Sequence, residues 1–286
     1  MTGGGRHGTT SDRGSTMDIT DEATDGAVVE RRFTLTVDGG AVPGIHWLPA
    51  DAAGAHPTVC IGHGGFQHKR VDNVLALARQ LVTNLGVGAI ALDAPEHGER
   101  VTDPAAAEAT LAALRSGDRE ARRRSLGPGA RAAMAERATV HVAEWRALLD
   151  RLQADERWAA GPFGWWGVSM GTTHGLPLAA RDPRIAAAVF GLNALRPGDE
   201  AWARQAAAVT IPVLFLNQWD DELMTRETSV ALWEALGSTE KTMHVNPGRH
   251  VQVPRFERSA SEDFFRRHLL GPRPGMGATA PRLELS

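Results

Sequence analysis

Apolar residues in this chain fall into two kinds of run. Short, continuous ones lie at 58–61, 89–92, 163–168, 187–192 and 213–216, each followed by Gly, Asp, Ser or Asn, with a weaker run at 243–245. Runs of that length, bounded by turn formers, predict strands buried on both faces. Between them, apolar residues recur at helical spacing over 71–85, 138–153, 172–180, 225–236 and 259–270. Two further strands are predicted at 33–37 and 45–48, split by the turn signal Asp38-Gly39-Gly40. Strand–helix alternation of this kind implies a mostly parallel sheet with helices on both faces. In such sheets ligands bind beyond the carboxyl ends of the strands, so the chemistry is sought in the loops that follow the runs.

The pattern fails at both ends. Residues 1–26 are Gly, Ser, Thr and Asp with almost no large apolar side chain, and a disordered tail is predicted. Residues 272–286 are rich in Pro and Gly and are expected to be loose. The 27–271 stretch between them has no internal repeat and is expected to form one domain. Residues 101–136 break its rhythm. They are rich in Ala and Arg and contain Gly127-Pro128-Gly129, a helix breaker. Two short amphipathic helices are predicted there, either a cap over the strand ends or a solvated excursion.

Composition narrows the function. The 286 residues carry a formal net charge of −3, without the basic surplus of a nucleic-acid or anionic-membrane binder. No apolar run approaches the roughly 20 residues of a membrane span, and the first residues lack the apolar core of a secretory signal. A cytoplasmic protein is expected. Cys60, the only cysteine, excludes an intramolecular disulfide and a cysteine zinc cage, and its apolar strand neighbours mark it as a core thiol. Tyrosine is absent, and Lys69 and Lys241 are the only lysines among 31 basic residues, an imbalance read as codon bias. Together these leave little room for tyrosine acids or lysine nucleophiles.

The decisive motif is Gly167-Val168-Ser169-Met170-Gly171. An apolar run ends at Val168 and a helical pattern follows Gly171, which is the strand–turn–helix setting that lifts a serine hydroxyl above a sheet. Such a serine needs a base, and the base needs an orienting acid; along the chain the order is serine, acid, histidine. Four histidines lie downstream. His174 falls in the helix after the turn, His244 inside the last strand, and His268 beside Arg266 and Arg267 near the last helix's end. His250, in the loop after the last strand, is selected as base. The acid should follow the strand at 213–216, where Asp220, Asp221 and Glu222 are all candidates that spacing does not separate. A developing oxyanion needs backbone N–H groups. One is expected from Met170, the other from the loop Gly62-His63-Gly64-Gly65-Phe66, with Gly65 first and Phe66 second.

Other residues are weighed against plainer roles. Trp165 and Trp166 belong in the core. Trp219, beside the acid loop, and His97 and Glu96, at a strand end, are candidates to touch substrate, as is Phe66; His63 is expected to brace the oxyanion loop. Arg122-Arg123-Arg124 reads as a solvated helix face, with an anionic substrate as the sharper alternative.

Four motifs in order resemble the α/β-hydrolase superfamily: His63-Gly64-Gly65, the run from Asp93 to Arg100 (Asp-Ala-Pro-Glu-His-Gly-Glu-Arg), the serine turn, and the Asp221…His250 pair. The second run is similar to small bacterial carboxylesterases related to dienelactone hydrolases and to prolyl-oligopeptidase catalytic domains. In those relatives an Asp-Glu-Leu-Val-Pro stretch carries the acid first. Asp221-Glu222-Leu223-Met224 aligns with it, with Thr225 in place of proline, so the resemblance favours Asp221. Serine at the turn departs from dienelactone hydrolases proper, which use cysteine, and from dehalogenases and epoxide hydrolases, which use aspartate. The chain also lacks the propeller of the oligopeptidases. The resemblance implies an eight-stranded, mostly parallel sheet with its second strand antiparallel. It further implies hydrolysis of a small-molecule ester through an acyl-enzyme, with neither metal nor organic cofactor; amide, thioester and peptide cleavage, and a non-catalytic binding role, are the alternatives. Homo-oligomer formation stays open.

Overall fold

A computed structural model describes residues 15–271, except 53, 55, 117–119, 121–126, 155–157, 159 and 160. The tail expectations for 1–14 and 272–286, and the Arg122–Arg124 face, lie outside the described residues.

Among the described residues nine strands form one sheet. They are β1 (Thr16–Asp25), β2 (Val28–Val37), β3 (Gly40–Pro49), β4 (Thr58–Ile61), β5 (Gly88–Leu92), β6 (Phe163–Trp166), β7 (Ile185–Gly191), β8 (Val213–Gln218) and β9 (Lys241–Asn246), in the spatial order β1-β2-β3-β5-β4-β6-β7-β8-β9. From β5 to β9 every neighbouring pair is parallel, whereas β3 runs antiparallel to both β2 and β5. Strands β2 to β9 therefore make the implied eight-stranded sheet, and β1 adds a ninth at its edge.

That strand corrects the expectation of disorder for the whole 1–26 segment. β1 pairs along its length with β2, from Thr16↔Thr36 to Asp25↔Val28. It lies almost wholly exposed and buries little, which is why apolar patterning misses it. What holds it is the backbone ladder and charge: Glu22 pairs with Arg31, Asp21 with Arg32 at 3.8 Å, and Asp25 with Arg79. Exposed charges also blunt a sheet edge against pairing with other chains.

Helices cover both faces. On one, α1 (Asp72–Leu85) buries Val74, Leu77, Ala78, Leu81 and Val82, at i, i+3, i+4 spacing, beside Phe264, Phe265 and Leu269 of the last helix, α7 (Phe256–Leu269). On the other, the core holds Trp145, Leu148, Leu149 and Leu152 of α3 (Pro128–Ala154), with residues of α4 (Met170–Ala179), α5 (Glu200–Ala207) and α6 (Arg226–Ala235). Trp165 and Trp166 are buried as expected, and so is Cys60, whose thiol pKa burial pushes up, away from reactivity.

The described residues of 101–136 include two helical segments, differently divided from the expectation. α2 (Pro104–Arg115) is the first of the two expected helices. The second is the start of α3, which runs unbroken for 27 residues. Gly127-Pro128-Gly129 does not break it because Pro128 occupies the first turn, where a missing N–H costs no helical bond. Among the described residues no helix is long and apolar enough to cross a membrane.

Candidate active site

The serine turn is locked by close backbone contacts. Ser169 sits between β6 and α4 at φ +57°, a left-handed conformation that non-glycine residues rarely adopt. A Cβ on Gly167 would lie 2.9 Å from the Gly171 backbone, and one on Gly171 would lie 2.5 Å from the Gly62 carbonyl oxygen, so both flanking glycines are sterically required. The Ser169 N–H donates to the Gly191 carbonyl (2.8 Å), and Asn193 Nδ2 donates to the Ser169 carbonyl (3.0 Å). Thr172 Oγ1 lies 2.9 Å from the Gly167 carbonyl oxygen and accepts the Gly191 N–H at 2.9 Å. Thr172 and Asn193 escape sequence reasoning, for their partners are 5 to 24 residues away; the one available signal is that Asn193 follows a strand's carboxyl end.

The loops after β8 and β9 deliver the other two groups. They are tied together by Trp219 N–H to the Asn246 carbonyl (2.7 Å) and Asp220 N–H to the Gly248 carbonyl (3.0 Å). His250 Nε2 lies 2.9 Å from Ser169 Oγ, and His250 Nδ1 lies 2.7 Å from Asp221 Oδ2. The other Asp221 oxygen accepts the N–H groups of Leu223 (2.8 Å) and Met224 (2.9 Å). Burial would raise the Asp221 pKa, but the hydrogen bond from His250 and these donors outweigh it and hold the carboxyl below its usual range. An ionised carboxylate only accepts, so Nδ1 carries the imidazole proton and Nε2 turns its lone pair to the serine hydroxyl. Glu222 fixes the base from behind, accepting the His250 backbone N–H at 3.0 Å. Asp220 stays exposed, 3.6 Å from Arg226.

The remaining histidines go elsewhere. His174 packs edge-on against His141, His244 bonds Glu257 at 2.9 Å, and His268 packs on Phe264. A cleft of about 680 Å³ opens over Ser169, and Gly64, Gly65, Leu192 and His250 are in its wall. Among the described residues the N–H groups of Gly65, Phe66 and Met170 have no hydrogen-bond partner. Phe66, His97 and Trp219 do not line this cleft. Phe66 is exposed and stands 6.4 Å from the His97 ring; His97 faces His63 at 5.3 Å; Trp219 is half-exposed under the Arg226 guanidinium, 4.0 Å away. No described residue of 101–136 lines it either. Among the described residues no group of three His, Cys, Asp or Glu is placed to hold a metal.

No protein-family model matches the chain, and no curated protein does. Among solved structures, a cold-adapted esterase from an Arctic intertidal metagenomic library, in its PEG-bound form, is 37% identical, with a TM-score of 0.68 over 87% of this chain and 98% of that one. This chain belongs to the α/β-hydrolase superfamily. Two more distant structures share its fold: an acetyl xylan esterase from Paenibacillus sp. R4 (16% identity, TM-score 0.62, 89% of each chain) and a dienelactone hydrolase from Anabaena variabilis (18%, 0.58, 85% of this chain and 99% of that one).

The hydrolase keeps several histidines buried beside this site. His63 Nε2 accepts the Ala94 N–H (3.1 Å), so its proton sits on Nδ1 and is donated to the Gly64 carbonyl (2.9 Å). Burial pushes the His63 imidazole down to about 3, does the same to His46 near the opposite end of the sheet, and lowers His97, His141 and His174. Between pH 6.5 and about 3 the unfolded chain protonates His46 and His63 and the folded one does not, so stability falls as pH falls through that window. The expected loss is roughly 1.4 kcal/mol per pH unit for each of His46 and His63. Melting curves at pH 7 and 4.5 should show a large drop in Tm, smaller in His63→Gln; equal Tm values at the two pH values would contradict buried neutral imidazoles.

Proposed function

We propose that this α/β-hydrolase is a serine esterase that cleaves a small carboxylic ester through an acyl-enzyme. The observation that carries the reading is the continuous path from Ser169 Oγ through His250 (2.9 Å) to Asp221 (2.7 Å), with Ser169 and His250 lining an open cleft. The 37%-identical esterase supports ester chemistry.

In this mechanism Ser169 Oγ attacks the ester carbonyl while His250 Nε2 takes its proton. Asp221 stabilises the imidazolium that forms. The tetrahedral oxyanion is held by the unpartnered N–H groups of Met170 and Gly65, donors in place before the charge develops. His250 then passes its proton to the departing alcohol oxygen, the C–O bond breaks, and the acyl group remains on Ser169. A water molecule, deprotonated by His250, attacks the acyl carbon; Ser169 regains the proton and the carboxylic acid leaves. The partner is thus a small ester, with no nucleic acid or membrane required.

A fluorophosphonate probe reports this chemistry because it reacts only with an activated serine. Peptide mapping is expected to find the adduct on Ser169, together with hydrolysis of p-nitrophenyl acetate and butyrate. No adduct, or an adduct on another residue, refutes the proposal.

A further inference from the structure

The loop that carries Gly64 and Gly65 runs from the end of β4 to the start of α1, and both of its ends are tied to one dipeptide, Asp93-Ala94, at the end of β5. At the first end, the Ala94 N–H donates to His63 Nε2 (3.1 Å), while His63 Nδ1 donates to the Gly64 carbonyl (2.9 Å). At the second, Asp93 Oδ1 accepts the Lys69 backbone N–H (2.9 Å) and Oδ2 accepts the Lys69 ammonium (2.6 Å). Lys69 and Asp93 are both buried, the carboxylate completely. Asp93 also accepts the Glu99 N–H (3.0 Å), and Glu99 adds a second carboxylate to the Lys69 ammonium. Gly98 makes room for this, since a Cβ there would lie 2.4 Å from the Asp93 carboxylate. The dipeptide is itself anchored. Arg100 donates to the Asp93 carbonyl (3.0 Å) and forks onto Glu144 (2.9 and 2.7 Å), which accepts from His141 Nδ1 (2.7 Å). Inside the loop, Gln67 closes a turn on Gly64 through its own N–H (3.2 Å) and side-chain carbonyl (3.0 Å). Gly65 is thereby left with a fixed backbone and a free N–H.

We propose that the buried Lys69–Asp93 pair, with His63 at the other end, is a clamp that sets the position of the Gly65 N–H in the oxyanion hole. This rests on the esterase reading above. The three are positioning residues; none touches the substrate. An oxyanion donor acts only when its N–H already points at the developing charge, so a displaced loop lowers the rate while binding of the uncharged substrate changes little. The Asp93–Arg100 run that resembles the carboxylesterases thereby gains a physical role: it is the fixture for the oxyanion loop. Burial would raise the Asp93 pKa, but its hydrogen bonds from Lys69 hold the carboxyl below its usual range, so the pair is ionic.

The test is the double variant Asp93→Asn/Lys69→Met, which removes both buried charges together and avoids stranding one. Rates are expressed per serine titrated with fluorophosphonate, so only folded, competent enzyme is counted. The expected result is a loss of about 10- to 100-fold in kcat for p-nitrophenyl butyrate, with KM within about threefold. An alkyl trifluoromethyl ketone, whose serine adduct carries the oxyanion, should lose affinity by the same factor as kcat/KM. A merely structural pair would lower the melting temperature and leave both quantities unchanged per titrated serine, and that outcome overturns the clamp. Should the double variant fail to fold, His63→Gln, a neutral replacement at the other end, carries the same expectation and the same overturning result. Wild-type enzyme that neither reacts with fluorophosphonate nor hydrolyses esters would instead sink the esterase reading itself.

Discussion

Replacing Ser169 with alanine is expected to lower kcat for p-nitrophenyl acetate by about 10⁴- to 10⁶-fold while leaving the protein folded. The size follows from what the hydroxyl does. In the proposed mechanism, no acyl-enzyme forms without Oγ and His250 has no nucleophile to activate, so the three-residue chain is lost as a unit. What remains is the oxyanion donors and the cleft, which can still favour direct attack by water to a small degree. The fold should not notice. Ser169 Oγ has His250 as its hydrogen-bond partner, and the turn is held by backbone groups and by Asn193 and Thr172, all unchanged in the variant. Alanine is no larger than serine and meets the same φ of +57°. Tm should therefore stay within about 2–4 °C of wild type. Steady-state rates on purified variant and wild type, with a melting curve for each, decide the matter. A variant that keeps more than a tenth of the activity would move the nucleophile elsewhere.

Much of this architecture is readable in the chain because buried parallel strands and covering helices leave strong signals. The runs at 58–61 and 89–92 lie within a residue of β4 and β5, since strands covered on both faces must be apolar throughout. β1 leaves no such trace: an edge strand held by its ladder and by Asp21, Glu22 and Asp25 looks like a polar tail. Pro128 misleads for another reason, because the same residue breaks a helix interior and opens a helix, and only the hydrogen bonding around it tells which. The serine turn is legible as a local motif. Spacing does not separate Asp221 from Asp220, for adjacent residues share every spacing argument; the family resemblance favours Asp221, and the path of the chain after β8 turns that carboxylate towards His250 and its neighbour's towards Arg226. The scarcity of lysine also looks different in three dimensions. Lys241 gives its ammonium to the carbonyls of Trp233, Glu234 and Leu236 at 2.7–3.0 Å, and buried Lys69 gives its own to the buried Asp93 carboxylate and the exposed Glu99 one. A compact ammonium meets several converging acceptors at one point, a geometry that the planar guanidinium fork does not reproduce, so neither lysine is equivalent to an arginine.

The two neighbouring aspartates provide a control for each other. Asp221→Asn is expected to reduce kcat by about 10⁴-fold, whereas Asp220→Asn should change it by less than about threefold. The first effect comes from proton placement. In wild type the Asp221 carboxylate accepts from His250 Nδ1 (2.7 Å), which leaves Nε2 unprotonated and able to receive the serine proton. An asparagine there can keep its oxygen on the Leu223 and Met224 N–H groups, which now bond Oδ1 at 2.8 and 2.9 Å. Its amide nitrogen must then face the imidazole. A donor facing Nδ1 demands a lone pair on that atom, so the proton moves to Nε2 and the ring can no longer act as a base towards Ser169. The neutral amide also fails to stabilise an imidazolium. Because the volume and the backbone bonds are conserved, the loss should fall on kcat more than on KM. Asp220, by contrast, is exposed, and its contacts are the Gly248 N–H at 3.3 Å and Arg226 at 3.6 Å, neither of which reaches the imidazole. Raising the pH separates the two explanations for any loss. If Asp221→Asn acts through the tautomer, hydroxide can substitute for the missing base, and the variant's rate should keep climbing above pH 8 after wild type has levelled off. A variant that is slow but parallel to wild type across that range would point to displaced geometry, and a larger loss in Asp220→Asn than in Asp221→Asn would transfer the acid's role to the exposed neighbour.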